Sequence, residues 1–297
     1  MIPPGFCQRS VLTSLGRMVY YTAGAIAEQS VGDSEALPSL MFLHGFGGGS
    51  SAYEWSQVYP AFAFSHRVLA PDLIGWGRSD HPALNYRVED YITTITEFLE
   101  QTCTEPVPVV ASSLTAAMTI RVAIARPELF KCLILTTPAG LSDFGENYSR
   151  SLFANIVKTP VLDRLIYSVG IASREGVRTF LEQRQFARPE RIFPEIVEAY
   201  LESAQQPNAE YAALSFVRGD LCFDLSLYMP QLTVPTAIIW GQQSQFTGPD
   251  IGKRLAELNP QAVKAFQLLD DVGLTPQLEQ PAIAIALIQR YLRLLVV

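Results

Sequence analysis

The sequence predicts an α/β protein, in which a mostly parallel β-sheet is flanked by helices and interrupted by a helical insertion. Short apolar runs rich in β-branched residues alternate with helical patterns along the first half of the chain, as is typical of parallel sheets. This alternation stops at about residue 141 and resumes at about residue 233. The stretch between these points has helical patterns that are separated by prolines, namely Pro160, Pro189, Pro194 and Pro207.

Composition argues against several classes of protein. The chain has 297 residues, of which 48% are hydrophobic and 17% charged, so it can bury a large core. Its net charge of −7 and the lack of a basic cluster argue against a nucleic-acid partner. The four cysteines lie far apart and the three histidines are scattered. We therefore expect reduced thiols in a cytoplasmic protein that holds no metal and no cofactor.

No stretch of the sequence predicts a transmembrane helix. The chain does not begin with a basic region followed by an apolar segment, so we expect no signal peptide. The last predicted helix, residues 281–297, is the most apolar, but Gln289, Arg290 and Arg293 interrupt it. We expect this helix to lie on the sheet. Its Leu-Leu-Val-Val end leaves peripheral contact with a membrane, or with a partner, as an alternative.

The first half of the chain supplies strands and a helix in order. Apolar runs predict strands at residues 8–15, 17–21, 40–43, 67–71 and 133–137. Residues 23–38 are small, polar and acidic, which predicts a surface loop. Residues 88–103 carry apolar side chains at the spacing of one helical face, which predicts an amphipathic helix.

A glycine-rich loop, residues 44–51, follows the strand predicted at residues 40–43. Glycines after a buried strand allow the backbone to approach another group closely. Phosphate-binding loops use this property, but neither of their two common glycine motifs is present here. The alternative is an oxyanion hole, which takes a backbone N–H from a loop in this position.

Residues 107–126 read as a buried strand that passes directly into a helix. The segment starts as an apolar run with prolines at its beginning, Pro106 and Pro108, and continues as an alanine-rich stretch. Two serines lie between these parts, and almost no loop separates them. A strand that turns directly into a helix at a serine is typical of a nucleophile elbow. An ordinary strand–helix turn is the alternative.

Steric crowding indicates which serine lies at the tip of this turn. The residues two before and two after the tip approach each other, so they must be small. Around Ser113 they are Ala111 and Thr115, whereas around Ser112 they are a valine and a leucine. We therefore predict Ser113 at the tip with a positive φ, although Thr115 stands where glycine is usual.

Four segments together resemble the α/β-hydrolase superfamily, of the type that carries a helical cap. They are Leu43-His44-Gly45-Phe46-Gly47-Gly48, residues 71–80 (PDLIGWGRSD), Ala111-Ser112-Ser113-Leu114-Thr115-Ala116 and Ile239-Trp240-Gly241. The resemblance implies an eight-stranded, mostly parallel sheet, with residues 1–140 and 233–297 as the core and residues 141–232 as the inserted cap. It also implies that Ser113 matches the nucleophile and that the backbone N–H groups of Phe46 and Leu114 form the oxyanion hole.

The same resemblance reveals two substituted catalytic positions. Members of the family place an acid in a pattern such as Trp-Gly-x-x-Asp, and here Ser244 occupies the acid position. They place a histidine in a pattern such as Gly-His-x-Pro-x-x-Glu-x-Pro, and here Leu274 occupies the histidine position. The flanking residues of the second pattern are intact, so the alignment is well determined. A serine hydrolase needs both groups to activate its nucleophile.

Another residue could act as the base. His81 follows the loop of residues 71–80 and is the best histidine candidate, because His44 belongs to the oxyanion loop and His66 precedes a strand at the opposite end of the sheet. Asp143 and Asp271 are carboxylate candidates, although each is more simply explained as part of a solvated loop. A carboxylate could act as a base only if burial raised its pKa.

Two functions therefore remain open from the sequence. In the first, a hydrolase-like protein with a degenerate triad binds an apolar small molecule under its cap, or binds a partner protein, with little or no turnover. In the second, an active ester hydrolase or lyase uses a relocated base. The first implies a mostly apolar pocket over Ser113, for which the cap offers seven large aromatic residues: Phe144, Phe153, Tyr167, Phe180, Phe186, Tyr211 and Phe216.

Overall fold

The computed structural model describes residues 2–24, 37–145 and 167–296. Most of the loop predicted at residues 23–38 lies outside the described residues, as does Phe153. The described strands are β1 (Phe6–Thr13), β2 (Gly16–Ala23), β3 (Ser39–Leu43), β4 (Arg67–Pro71), β5 (Val107–Ser112), β6 (Phe130–Thr136), β7 (Thr236–Gly241) and β8 (Val263–Leu269).

These strands form one eight-stranded sheet in the order β1-β2-β4-β3-β5-β6-β7-β8. Strand β2 pairs antiparallel with β1 and with β4, and every other pair is parallel. The predicted fold class, an α/β protein with an eight-stranded and mostly parallel sheet, is confirmed. The carboxyl ends of the six parallel strands share one edge of the sheet, where ligands bind in such folds.

Eight α-helices are described. They are α1 (Val88–Thr102), α2 (Ser113–Ala125), α3 (Arg174–Phe180), α4 (Pro194–Ala204), α5 (Ala209–Arg218), α6 (Pro249–Glu257), α7 (Pro276–Glu279) and α8 (Pro281–Leu295). Two π-helices, Tyr167–Ile171 and Leu181–Gln185, flank α3. The remaining helical turns are 3₁₀-helices at Ala52–Trp55, Tyr59–Phe62, Pro127–Leu129, Asp143–Gly145, Pro189–Arg191, Leu225–Leu227 and Met229–Gln231. None of the helices in the described ranges is both long and apolar enough to span a lipid bilayer.

Side chains from the parallel strands enter two hydrophobic clusters, one on each face of the sheet. Val109 and Val110 are neighbours on β5, yet they belong to different clusters because successive side chains of a strand point to opposite faces. Helices α1 and α2 cover one face. Helix α8 covers the other, as predicted, and buries Ile288 and Tyr291 there. Burial on both faces explains why the strands appear as continuous apolar runs.

The segment between β6 and β7, residues 141–232, is called the cap segment here. Its described part contains α3, α4, α5 and both π-helices, and its β-pairing there is limited to one isolated bridge that joins Leu141 to Phe223. The division of the chain into a core (residues 1–140 and 233–297) and a separate cap domain (residues 141–232) stays a prediction.

Candidate active site

Ser113 lies at the turn between β5 and α2. Ser112 ends the strand in an extended conformation (φ −117°, ψ 143°), whereas Ser113 has a φ of 56°. A residue with a side chain adopts a left-handed backbone only where its surroundings impose it, and such strain clusters at functional sites. The conformation predicted from the crowding of small flanking residues is therefore present. The catalytic role of Ser113 stays a prediction.

The oxyanion loop follows β3 and passes directly against this turn. A Cβ atom added to Gly45 would lie 3.3 Å from the Cβ atom of Ser113. Both ring nitrogens of His44, which precedes Gly45, form hydrogen bonds with backbone groups. Its Nδ1 donates to the carbonyl oxygen of Gly45 (2.7 Å), and its Nε2 accepts from the N–H of Leu73 (3.0 Å). Burial lowers the pKa of His44 to about 4. His44 therefore joins two loops and has no nitrogen available for proton transfer.

Phe46 is held in place by aromatic neighbours. Its ring meets Trp76 edge to face, with the ring centroids 5.1 Å apart, and meets Tyr91 in the same way at 4.8 Å. Both Phe46 and Leu114 are buried. Their backbone N–H groups stay the predicted donors of an oxyanion hole.

Glu54 is a fully buried carboxyl group that we did not predict from the sequence. Its Oε2 accepts from the N–H of Gly45 (2.8 Å) and its Oε1 accepts from the hydroxyl of Tyr200 in α4 (3.1 Å). Burial raises the pKa of Glu54, and its hydrogen bonds lower it in part. The only signal in the sequence is that this glutamate stands between two aromatic residues, Tyr53 and Trp55.

Two glutamine side chains extend this network toward the turn and toward the cap segment. Gln277 in α7 donates from Nε2 to the hydroxyl oxygen of Ser112 (3.3 Å), and its side chain also helps to lower the pKa of Glu54 against the effect of burial. Gln185, the last residue of a π-helix, acts on the hydroxyl of Tyr200, whose pKa it lowers against the effect of burial. Tyr200 of the cap segment therefore bonds to Glu54, and Gln277 bonds to the residue before Ser113.

The histidine position of the family lies beneath the cap segment. Leu274 is buried, and its N–H donates to the carbonyl oxygen of Gln185 (2.7 Å). The preceding residue, Gly273, packs so closely against the same carbonyl group that a Cβ atom would collide with it. Glu279 joins both segments, because its carboxylate accepts from the N–H groups of Gly273 (2.7 Å) and Ala187 (2.8 Å). Burial raises the pKa of Glu279 to about 7.

The acid position of the family lies in the turn after β7. The N–H of Ser244 donates to the carbonyl oxygen of Gly241 (3.2 Å), and its hydroxyl oxygen is buried without a hydrogen-bond partner. The neighbouring Gln243 links this turn to the loop after β8. Its N–H donates to the carbonyl oxygen of Val272 (2.9 Å) and its Oε1 accepts from the N–H of Val272 (3.1 Å).

Asp271, one of the possible substitute bases, forms ion pairs with Arg188 and Arg191 of the cap segment. The hydrogen bond from Arg188 is the main reason why the pKa of Asp271 is lowered. An aspartate in this state is a poor base. The ion pairs lie beside the contact between Leu274 and Gln185, so they hold the same part of the cap segment against the core.

Asp143, the other carboxylate candidate, is buried rather than solvated, so the expectation of a solvated loop is wrong for this residue. Its carboxylate accepts from the N–H groups of Gly140 (3.0 Å) and Leu225 (2.8 Å). Burial raises its pKa to about 6 against those hydrogen bonds. These two backbone N–H groups explain why the Asp143 side chain is buried, because without its carboxylate they would lack a hydrogen-bond partner.

The remaining histidines have their own contacts. His81 Nε2 donates to the carbonyl oxygen of Gly77 (3.1 Å), its Nδ1 is buried without a partner, and burial lowers its pKa. His66 Nδ1 lies 2.9 Å from the hydroxyl oxygen of Ser65. Across residues 2–24, 37–145 and 167–296, no hydrogen bond joins a histidine to Ser113.

A cavity of about 720 Å³ lies between the cap segment and the core. Its described walls are mostly apolar and include Gly48 of the oxyanion loop, Phe180, Phe216 and Phe246. Ser113 is not among the described lining residues. The sequence offered seven aromatic residues of which some were expected to face a pocket. Of the six that the structure describes, Phe180 and Phe216 line the cavity, whereas Phe144, Tyr167, Phe186 and Tyr211 do not.

Both π-helices border this cavity. Gly170 and Ile171 come from the first, and Gln183 and Arg184 come from the second. π-helical turns are rare and occur frequently at functional sites. Two of them beside one cavity favour a binding role for it.

A parallel sheet with a strand–serine–helix turn at its carboxyl edge defines the class of α/β hydrolases. A family model described as alpha/beta hydrolase fold matches residues 38–281. The chain therefore belongs to the α/β-hydrolase fold family.

Several proteins of this family are similar to the chain. Lipase 1 of Psychrobacter immobilis is 26% identical over 273 residues, which cover 90% of this chain and 78% of the lipase. A 2-hydroxymuconate semialdehyde hydrolase of a Pseudomonas species is 35% identical over 112 residues, which cover 37% of this chain and 40% of that enzyme. The solved structure of the epoxide hydrolase CorEH superposes with a TM-score of 0.76 at 20% identity, covering 97% of this chain and 99% of that one.

Proposed function

We propose that this chain is an α/β-hydrolase-fold protein with a degenerate triad, which binds an apolar small molecule with little or no turnover. The observation that carries this proposal is Leu274. It stands at the histidine position, is buried, and has its backbone N–H bonded to the cap segment. A leucine side chain cannot accept a proton from Ser113.

The chemistry of serine hydrolysis supports this view. A serine hydroxyl is a poor nucleophile unless a base removes its proton. Ser244 at the acid position could not stabilise a protonated histidine even if one were present. Removal of triad members from serine hydrolases lowers turnover by about 10⁴-fold to 10⁶-fold. We therefore assign Ser113 the role of a vestigial nucleophile, and the N–H groups of Phe46 and Leu114 that of a vestigial oxyanion hole.

The cavity supports a binding role. Its volume of about 720 Å³ falls in the range of small-molecule sites in proteins, which spans about 300 to 1,000 Å³. Phe180 and Phe216 each lie near Phe246, with ring centroids 6.2 Å apart in both pairs. Aromatic walls of this kind offer a large contact area to an apolar ligand. A partner protein in place of the small molecule remains part of the proposal.

An active ester hydrolase or lyase with a relocated base is the second candidate. The left-handed backbone of Ser113 favours this second candidate, because backbone strain of this kind clusters at active sites. The relatives named as a lipase, an epoxide hydrolase and a semialdehyde hydrolase favour it as well. His81 is the best base for this candidate, because its Nδ1 has no partner. Asp143 and Asp271 have both of their oxygens engaged.

We further propose a cytoplasmic location and no nucleic-acid partner. The four unpaired cysteines and the net charge of −7 support these two points. Peripheral contact with a membrane through α8 is a weaker proposal, for which Ile283 and Leu294 on its exposed side provide the apolar surface.

Two measurements on the purified protein test the function. Native mass spectrometry of protein from its source should detect a retained small molecule. The initial rate on a short-chain activated ester should be low, and Ser113→Ala should change it little. A fast rate that Ser113→Ala abolishes would instead establish the second candidate, and His81→Ala would then be the next variant to measure.

A further inference from the structure

Two buried glutamine side chains each have an amide oxygen without a hydrogen-bond partner. Gln185 is 2% exposed and Gln277 is fully buried, yet Oε1 of each has no partner in the described part of the chain. Buried polar atoms are nearly always hydrogen-bonded, so each exception needs an explanation such as an ordered water or a ligand. Two such oxygens in one network indicate a site that accepts hydrogen bonds.

The contacts of both amides determine which end is free. Tyr200 has one hydroxyl proton, and it is donated to Oε1 of Glu54 (3.1 Å). Any bond from Gln185 to that hydroxyl would therefore have to come from its NH₂ group, and Oε1 is the amide atom that is buried without a partner. Gln277 likewise uses Nε2 to bond the hydroxyl oxygen of Ser112. Both free ends are carbonyl oxygens, which can only accept.

Gln185 lies next to the apolar cavity. A Cβ atom added to Gly47 would lie 2.8 Å from Cε1 of Phe180 and 3.3 Å from Nε2 of Gln185. Phe180 lines the cavity, and so does Gly48, the neighbour of Gly47. The wall of the cavity and the buried amide group therefore meet at the oxyanion loop. A ligand in the cavity that displaced the Phe180 ring would reach Gln185.

A second set of unpartnered groups lies on the same edge of the sheet. Five buried hydroxyl oxygens have no partner among the described residues. One belongs to Ser50 in the loop after β3, and the other four follow the carboxyl ends of four adjacent strands, β5 to β8 in order: Thr115, Thr137, Ser244 and Thr275. Carboxyl ends of neighbouring parallel strands meet at one edge. Hydroxyl groups can donate or accept, so this edge of the sheet retains unused hydrogen-bonding capacity.

We propose that Gln185 selects the ligand, by accepting a hydrogen bond from the polar end of an uncharged amphiphile that carries a hydroxyl or amide N–H group. This inference rests on the proposed binding function. A carboxylate would instead face the amide carbonyl oxygen of Gln185. Arg191, which contacts the loop that contains Leu274, is already paired with Asp271. Arg184 lines the cavity at an exposed position and is the one basic residue among its described lining.

A matched series of ligands tests this selection. We suggest titration calorimetry of the whole chain with 2-naphthylethanol, its methyl ether and the acetate, by which we mean the carboxylate anion of 2-naphthylacetic acid. All three share an aromatic body that suits the cavity, and they differ in the polar end. The alcohol donates a hydrogen bond, the ether can only accept one, and the acetate is an anion. We expect the alcohol to bind about tenfold more tightly than either of the others.

A pair of variants assigns the preference to Gln185. Gln185→Met keeps the side-chain volume and the backbone carbonyl group that Leu274 uses, but removes the amide. This variant should bind the alcohol about tenfold more weakly than the wild type does, and its affinity for the ether should be unchanged. Gln57→Met is the control, because Gln57 makes the same change of side chain at an exposed position outside the described lining of the cavity. It should change neither affinity.

The outcomes separate this inference from the proposed function. If the wild-type protein binds the alcohol and the ether equally, the selection by Gln185 is wrong while the binding function stands. If the acetate binds most tightly, Arg184 rather than Gln185 receives the polar end, and the inference is overturned. If none of the three ligands binds, the proposed function fails together with the inference. The wild-type series decides these cases even if Gln185→Met does not fold.

Discussion

The backbone N–H of Leu274 donates to the carbonyl oxygen of Gln185 at 2.7 Å, which ties the histidine position of the family to the cap segment. Both partners are backbone groups. The hydrogen bond therefore does not depend on the side chain at position 274, and a histidine can be placed there without removing it. A triad can therefore be restored at this position without the loss of this contact between the core and the cap segment.

Restoring both substituted positions should create activity that neither change creates alone. We expect Leu274→His or Ser244→Asp alone to leave the ester-hydrolysis rate near the wild-type rate. The double variant should be at least about tenfold faster than either single variant, because triad members act as a unit. The measurement is the initial rate on a short-chain activated ester for all four proteins. Adding Ser113→Ala to the double variant is the control, and it should return the rate to the wild-type level.

Replacement of Glu54 should destabilise the protein strongly. Glu54→Ala leaves the N–H of Gly45 and the hydroxyl of Tyr200 buried without their partner, which we expect to cost about 3 kcal/mol. Glu54→Gln keeps one acceptor oxygen and should cost about 1 kcal/mol. Urea unfolding measures both values. Glu257→Ala, at an exposed site in α6, is the control, and a similar loss there would contradict this account.

Burial of Asp143 should make stability depend on pH. Its pKa in the folded protein, about 6, lies above the value of 3.8 for a free aspartate, so the folded state binds the proton more tightly. The resulting stabilisation is complete below about pH 4 and is lost as the pH rises through about 6. Relative to Asp143→Asn, the wild type should therefore lose about 2–3 kcal/mol of unfolding free energy between about pH 4 and pH 7. A pH-independent difference would show that Asp143 stays ionised throughout.

Gly49 should tolerate no side chain. It has a φ of 96°, and a Cβ atom there would collide with the carbonyl oxygen of Tyr200 in α4. We expect Gly49→Ala to reduce the free energy of unfolding by about 3 kcal/mol, through backbone strain and displacement of α4. Gly248→Ala is the matched control. Its φ is −69° and no atom lies within 4 Å of its added Cβ, so its effect should stay below about 0.5 kcal/mol. Thermal unfolding of the two variants tests the difference.

The features that the sequence predicted well are local ones. Apolar runs placed the strands, because a buried parallel strand needs apolar side chains on both faces. The left-handed backbone at Ser113 followed from the sizes of Ala111 and Thr115, which lie within two residues of it. Local sterics and periodicity are visible along a chain, so the sheet and the conformation at its central turn were accessible.

The features that the sequence did not reveal depend on distant partners. Glu54 meets Tyr200 across 146 residues, and Asp143 meets Leu225 across 82 residues. No local pattern marks either carboxyl group as buried, because its partners come from another part of the chain. The π-helix at Leu181–Gln185 is equally hidden, since its Phe186 N–H bonds to Leu181 instead of following an α-helical pattern.

The left-handed backbone at residue 113 also sets the direction in which any side chain leaves the sheet. That direction is imposed by the junction of β5 and α2 and not by the serine hydroxyl. A protein engineer who places a thiol or an unnatural amino acid there knows in advance how its first bond is oriented. The chain is in this sense a scaffold on which reactivity can be installed at one residue, while the surrounding framework stays as it is.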